Sequence, residues 1–207
     1  AEWFRLARAA DPAARLLLAD SPPLFPGRNP HLDALIDLLR RAQALKAPLD
    51  GLCLQLHVGA QEAPDPADLL AAFDRLSALG LPCEISALDL DMGDEALEAD
   101  LLRDVLICAF SHPNLRGVTL WGWREDAMWH PGGALVRHDG SETPAGTVWR
   151  EWVLGRWMTD QRAVTDASGE VTLPVFLGDH AVTAETTDLR LSADIRVEKP
   201  TAIEVHP

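Results

Sequence analysis

Gln55 and His57 stand two residues apart in the segment 51–57, an amide that both donates and accepts beside an imidazole able to hold or move a proton near neutral pH. Side chains alternate along a strand, so Cys53, Gln55 and His57 share one face. The same alternation over 82–90 predicts Cys83, Ile85, Ala87 and Asp89 on one face and Glu84 on the other. Asp20 closes a short apolar run, RLLLAD. Trp121 and Trp123 follow a fourth strand-like run, and Trp129 lies in the polar, glycine-containing loop WGWREDAMWHPGG. Carboxylate, imidazole and amide groups are the equipment of acid–base work, and an indole face stacks on the flat apolar side of a sugar ring. A single strand-end histidine is ordinarily a satisfied structural residue, and it is Gln55 on the same face that weighs for a site. Trp149, Trp152 and Trp157, at helical spacing in TVWREWVLGRW, read as packing residues, whereas Trp121 and Trp129 read as ligand contacts because they follow a strand end.

The elements that position these groups alternate regularly. Residues 2–10 predict an amphipathic helix closed by Asp11-Pro12, followed by a buried strand over 15–20. Helices are expected over 31–45, 68–79 and 94–110, each leading into a strand, over 51–57, 82–90 and 117–122. Strand starts near 15, 51, 82 and 117 are 31 to 36 residues apart, the pattern of βαβ units and a parallel sheet. In such sheets chemistry gathers at the carboxyl ends of the strands, where Asp20, Gln55, His57, Asp89 and Trp121 lie. Beyond Trp157 the character changes. Short β-branched runs over 171–177, 180–186 and 202–206 predict a small antiparallel appendage, so residues 1–157 are expected to form an α/β domain and residues 158–207 a β-rich tail.

Composition narrows the function classes. The 207 residues are 47% hydrophobic and 24% charged, with a formal charge of −14, the balance of a globular protein with a real core. The acidic excess repels phosphate backbones and argues against nucleic-acid binding, and no run approaches the roughly 20 apolar residues of a membrane span. Cys53, Cys83 and Cys108 show no metal-ligand spacing, and no acidic run has calcium-loop spacing, so no metal or other cofactor is expected. The chain opens Ala-Glu-Trp-Phe, without an initiator methionine or a signal-peptide core, as a processed chain or an internal piece of a larger protein would.

The segments ADPAARLLLAD, APLDGLCLQLHV, LPCEISALDLD and LICAFSHPNLRGVTLWGW, with the spacing from Trp121 to Trp129, resemble the second half of the family 10 glycoside hydrolases, the endo-β-1,4-xylanases. The resemblance covers roughly residues 1–157. It implies an α/β fold, the C-terminal half of a (β/α)8 TIM barrel carrying strands five to eight, followed by the antiparallel appendage. It also implies a retaining mechanism, xylan or xylo-oligosaccharides as partners, extracellular action and an N-terminal barrel half as the missing complement. The family's Gln-x-His strand is matched by Gln55-Leu56-His57, with sugar contacts and a histidine hydrogen bond to the nucleophile implied. Trp121-Gly122 and Trp129 would wall the central sugar subsite. Ala19-Asp20-Ser21 matches the family's Asn-Asp-Tyr only at the aspartate, leaving Asp20 as a substrate-binding position.

The nucleophile segment, Thr-Glu-Leu-Asp in the family, aligns with Ser86-Ala87-Leu88-Asp89. Ala87 therefore holds the nucleophile position, and Asp89 survives. The acid/base glutamate belongs to strand four, which would precede residue 1. Retaining hydrolysis needs two carboxyl groups about 5–5.5 Å apart. The expectation is a xylanase-like chain that does not cleave xylan as it stands, or alternatively a remnant that binds the polysaccharide without chemistry. Departures at Ala19 and Ser21 favour natural loss over a deliberate substitution at Ala87.

Overall fold

The computed structural model describes residues 1–22, 24, 29–60 and 63–199. The chain divides into two compact units, 1–149 and 150–207. In the first, helices α1 (Glu2–Ala10), α2 (Pro30–Ala44), α3 (Pro66–Ser77) and α4 (Glu95–Ser111) alternate with strands β1 (Leu17–Asp20), β2 (Gly51–Gly59), β3 (Cys83–Asp91) and β4 (Leu115–Leu120). Each end lies within two residues of the boundary expected from periodicity. A last helix, α5, spans Pro144–Glu151.

Local chemistry explains where the helices start. Asn29, Asp65 and Asp94 each cap a helix with a side-chain oxygen, accepting the backbone N–H groups of Leu32, of Asp68, and of Ala96 and Leu97 respectively. Pro30 and Pro66 occupy the first turn of α2 and α3, where a missing N–H is harmless. The buried stripes then follow helical spacing: Leu32, Leu35, Ile36 and Leu39 on α2, and Leu69, Ala72, Phe73 and Leu76 on α3.

The strands form one parallel sheet in the order β1-β2-β3-β4. On β2, Leu52, Leu54, Leu56 and Val58 are buried while Cys53, Gln55, His57 and Gly59 are half-buried, so the helices cover one face only. The expectation for β3 needs correcting. Leu54 is level with Ile85, but Gln55 is level with Ala87, which leaves Ser86 as an extra, bulged residue. A one-residue bulge reverses every face beyond it. Cys83 and Ile85 therefore lie on the helix side with Leu52 and Leu54, whereas Ala87 and Asp89 lie on the open side with Gln55 and His57. Glu84, level with Cys53, is on that open side too, rather than opposite Ala87.

The second unit holds one antiparallel hairpin, β5 (Gly178–Glu185) with β6 (Arg190–Val197), running from Gly178 opposite Val197 to Glu185 opposite Arg190. Strand β5 is where a run was expected; β6 was not foreseen. The run 171–177 is not a strand: Pro174 has no N–H to give a ladder, and every residue from 171 to 177 is exposed. The expected strand over 202–206 lies outside the described residues. Trp152 and Trp157 pack edge to face at 5.7 Å, with the Arg156 guanidinium 4.7 Å from the Trp152 ring centre, consistent with a packing role for these indoles.

Candidate functional site

The open face of the sheet carries a compact polar and aromatic cluster at the carboxyl ends of β2, β3 and β4. His57 is level with Asp89 across the β2–β3 ladder, and its Nδ1 lies 2.6 Å from Asp89 Oδ1. The other carboxylate oxygen accepts the indole N–H of Trp129. Asp89 is 6% exposed, so both oxygens are satisfied within the protein, the condition under which a buried carboxylate is tolerated.

The tryptophans complete the wall. The His57 ring stands edge-on to Trp121 and Trp129 at centroid distances of 5.8 and 5.4 Å, and the two indoles are 6.4 Å apart. Trp121 and Trp129 remain 56% and 60% exposed, as faces available to a ligand require. Their positions follow from local structure. The Trp121 backbone N–H donates to the Leu88 carbonyl, tying the start of the loop to β3. Gly133 brings the far side of the loop down on the same strand, where an added Cβ would come within 2.3 Å of the Leu90 carbonyl oxygen. His130 faces Asp91 at 3.4 Å, and Arg137 makes two bonds of 2.6 and 2.7 Å to Glu95 at the start of α4.

The remaining expected positions divide. Gln55 is level with Ala87 on the open face, one side-chain step below the His57–Asp89 pair. Ala87 is 3% exposed and contributes a methyl group to the open face beside Gln55. Asp20 is not brought into the cluster: it is level with Leu54, on the helix side of the sheet, and its carboxylate accepts the Ser21 N–H and faces His31 Nε2 at 3.2 Å. Glu84 pairs with Arg15 at 2.9 Å, nearer the amino ends of the strands. Burial pushes the Cys83 thiol up to about 12, which removes it as a nucleophile at neutral pH. Among the described residues no group of three or more His, Cys, Asp or Glu side chains is arranged to hold a metal ion, and no helix is long and apolar enough to cross a membrane.

Glu98 was not foreseen. It is 4% exposed and lines the same narrow recess as Asp89, with Leu102, Leu120 and Gly133. Burial, with the nearby Asp91 and Glu95 charges adding, pushes its carboxyl up to about 7 against the opposing hydrogen bond from the Met92 backbone. The available signal was a carboxylate at 98 in the apolar stripe that continues through Leu101, Leu102 and Val105.

The sequence profile of glycosyl hydrolase family 10 matches residues 1–149. Endo-1,4-beta-xylanase 2 of Arabidopsis thaliana is 29% identical over 201 residues, 96% of this chain but 18% of that protein. Native xylanase 10B from Thermotoga maritima superposes with a TM-score of 0.64 at 20% identity, over 72% of this chain and 50% of that one. A glutamate-to-alanine mutant of xylanase 10C from Cellvibrio japonicus, solved with xylopentaose, superposes with a TM-score of 0.65 at 22% identity, over 74% of this chain and 36% of that one. The chain thus spans about a fifth of the length of its curated relative and at most half of either solved barrel.

Proposed function

This chain belongs to glycosyl hydrolase family 10, and from that premise we propose that it carries strands five to eight of the TIM barrel and a xylan-recognising site that binds without cleaving. Residues 158–207 are its appendage, and an N-terminal barrel half is its natural complement. The polymeric substrate class argues for work outside the cell. The observation that carries the proposal is Ala87, buried level with Gln55 while His57, Asp89, Trp121 and Trp129 keep one connected geometry.

A methyl group can neither attack an anomeric carbon nor stabilise an oxocarbenium-like charge. Among the described residues no nearby carboxylate takes over. Asp89 is two residues along the strand, about 6.5 Å away, and is committed to His57 and Trp129. Glu84 shares the open face, but it sits level with Cys53 rather than Gln55 and is ion-paired to Arg15. Binding is separable from catalysis, since only interactions stronger in the transition state accelerate the reaction. Two exposed indoles, a fixed imidazole and the Gln55 amide remain as ground-state contacts. The glutamate-to-alanine relative solved with xylopentaose is a parallel for ligand retention without a carboxylate.

Calorimetry with xylo-oligosaccharides and a reducing-sugar assay on the purified chain test this together. The expected result is measurable binding, abolished by Trp121→Ala, with no sugar released. Sugar release would overturn the non-cleaving reading, and absence of binding would leave a structural remnant of the family.

A further inference from the structure

The hydrogen bonds around Asp89 determine what the alanine at 87 does to its neighbour. Asp89 Oδ1 lies 2.6 Å from His57 Nδ1, and Oδ2 takes the Trp129 indole N–H. An indole only donates and an ionised carboxylate only accepts, so the imidazole proton on this side belongs to Nδ1. A neutral imidazole carries one N–H, and its other nitrogen then presents a lone pair. His57 has no second hydrogen bond among the described residues, its side chain is 24% exposed, and its ring is fixed edge-on to Trp121 and Trp129.

Ala87 lies on the same open face, diagonal to His57 and two residues before Asp89. A methyl there neither donates nor accepts, so it makes no demand on the ring's second nitrogen. We infer that Nε2 of His57 is a hydrogen-bond acceptor for a hydroxyl of a sugar seated against Trp121 and Trp129, which makes His57 a specificity-determining residue of a binding site, with Asp89 its positioning residue. The inference rests on the oligosaccharide-binding reading and sharpens it: the ligand must present a donating hydroxyl, which an apolar ring of the same size cannot.

Long-range proton–nitrogen NMR on the full 207-residue chain reads the tautomer directly, at a pH well above the ordinary histidine range. The expected spectrum of the free protein has a protonated Nδ1 and a bare Nε2 for His57. A protonated Nε2 in the unsubstituted chain overturns the inference. Calorimetry with xylotriose supplies the second arm. His57→Asn keeps a donor towards Asp89 but has no Nε2, and should weaken binding roughly three- to tenfold, the scale of one hydrogen bond. Asp89→Asn can donate its amide N–H to Nδ1 while still accepting from Trp129, and should drive the imidazole proton to Nε2 in the same NMR measurement. Unchanged affinity in His57→Asn overturns the inference while leaving the binding reading intact. Failure of the unsubstituted chain to bind xylotriose overturns both.

Discussion

A buried carboxylate must have its oxygens occupied, and Asp89 has one donor on each. The Trp129 half of that arrangement gives a test, because Trp129→Phe keeps an aromatic face while removing the indole N–H together with part of the ring's contact area. One buried acceptor is then orphaned, and the expected loss is about 1–3 kcal/mol of stability, read as a lower Tm in thermal melts. A Tm unchanged by the substitution would show that the indole contact contributes nothing to the fold. At this scale the sequence was partly legible. Residue types and period-two spacing placed Gln55 and His57 on one face, and the family resemblance identified Ala87 and Asp89. The bond from Trp129 to Asp89 joins residues 40 apart, and no local periodicity encodes it. Asp20 illustrates the reverse: a strand-end aspartate looks like a site residue until register puts it on the helix side with His31.

Among elements, helices were read closely because caps and apolar stripes are local signals, as at Asp65-Pro66 and Leu69–Leu76. Strand faces were not, since Ser86 is an ordinary residue whose bulge arises from how β3 pairs with β2. The run 171–177 joins no ladder for a visible reason, Pro174, whereas β6 carries a local period-two signal, Leu191, Ala193, Ile195 and Val197 alternating with polar residues. Where α4 packs against the end of β3, Glu98 makes stability depend on pH. Its native pKa, about 7, lies above the ordinary 4.5, so the folded chain keeps a proton that the unfolded chain releases. The sign is therefore a loss of stability as pH rises from about 4.5 to 7, with none of that loss below the unfolded value. Glu98→Gln should match the parent near pH 4 and exceed it at pH 8, by on the order of 1 to 3 kcal/mol. Denaturant melts at the two pH values measure the difference; an equal shift at both would assign the effect to packing instead.

The whole molecule is governed by what its sheet leaves unpaired. Four parallel strands give two lateral edges, β1 and β4, and one face not covered by helices, whereas an eight-stranded closed barrel has no edges at all. Trp3 and Leu6, 82% and 56% exposed and three residues apart on α1, add an exposed apolar stripe. Against association stands a formal charge of −14, which makes two copies repel. These two terms respond oppositely to salt: screening weakens the repulsion and leaves edge pairing and apolar burial in place. Self-association of the isolated chain should therefore rise with ionic strength and concentration in sedimentation experiments. Adding a segment that supplies the remaining barrel strands of a family member should replace it with a one-to-one complex and raise the Tm. If the chain stays monomeric at every salt concentration and ignores the added segment, its edges are not sites of pairing, and the four-stranded sheet is stable through its helix-covered face alone.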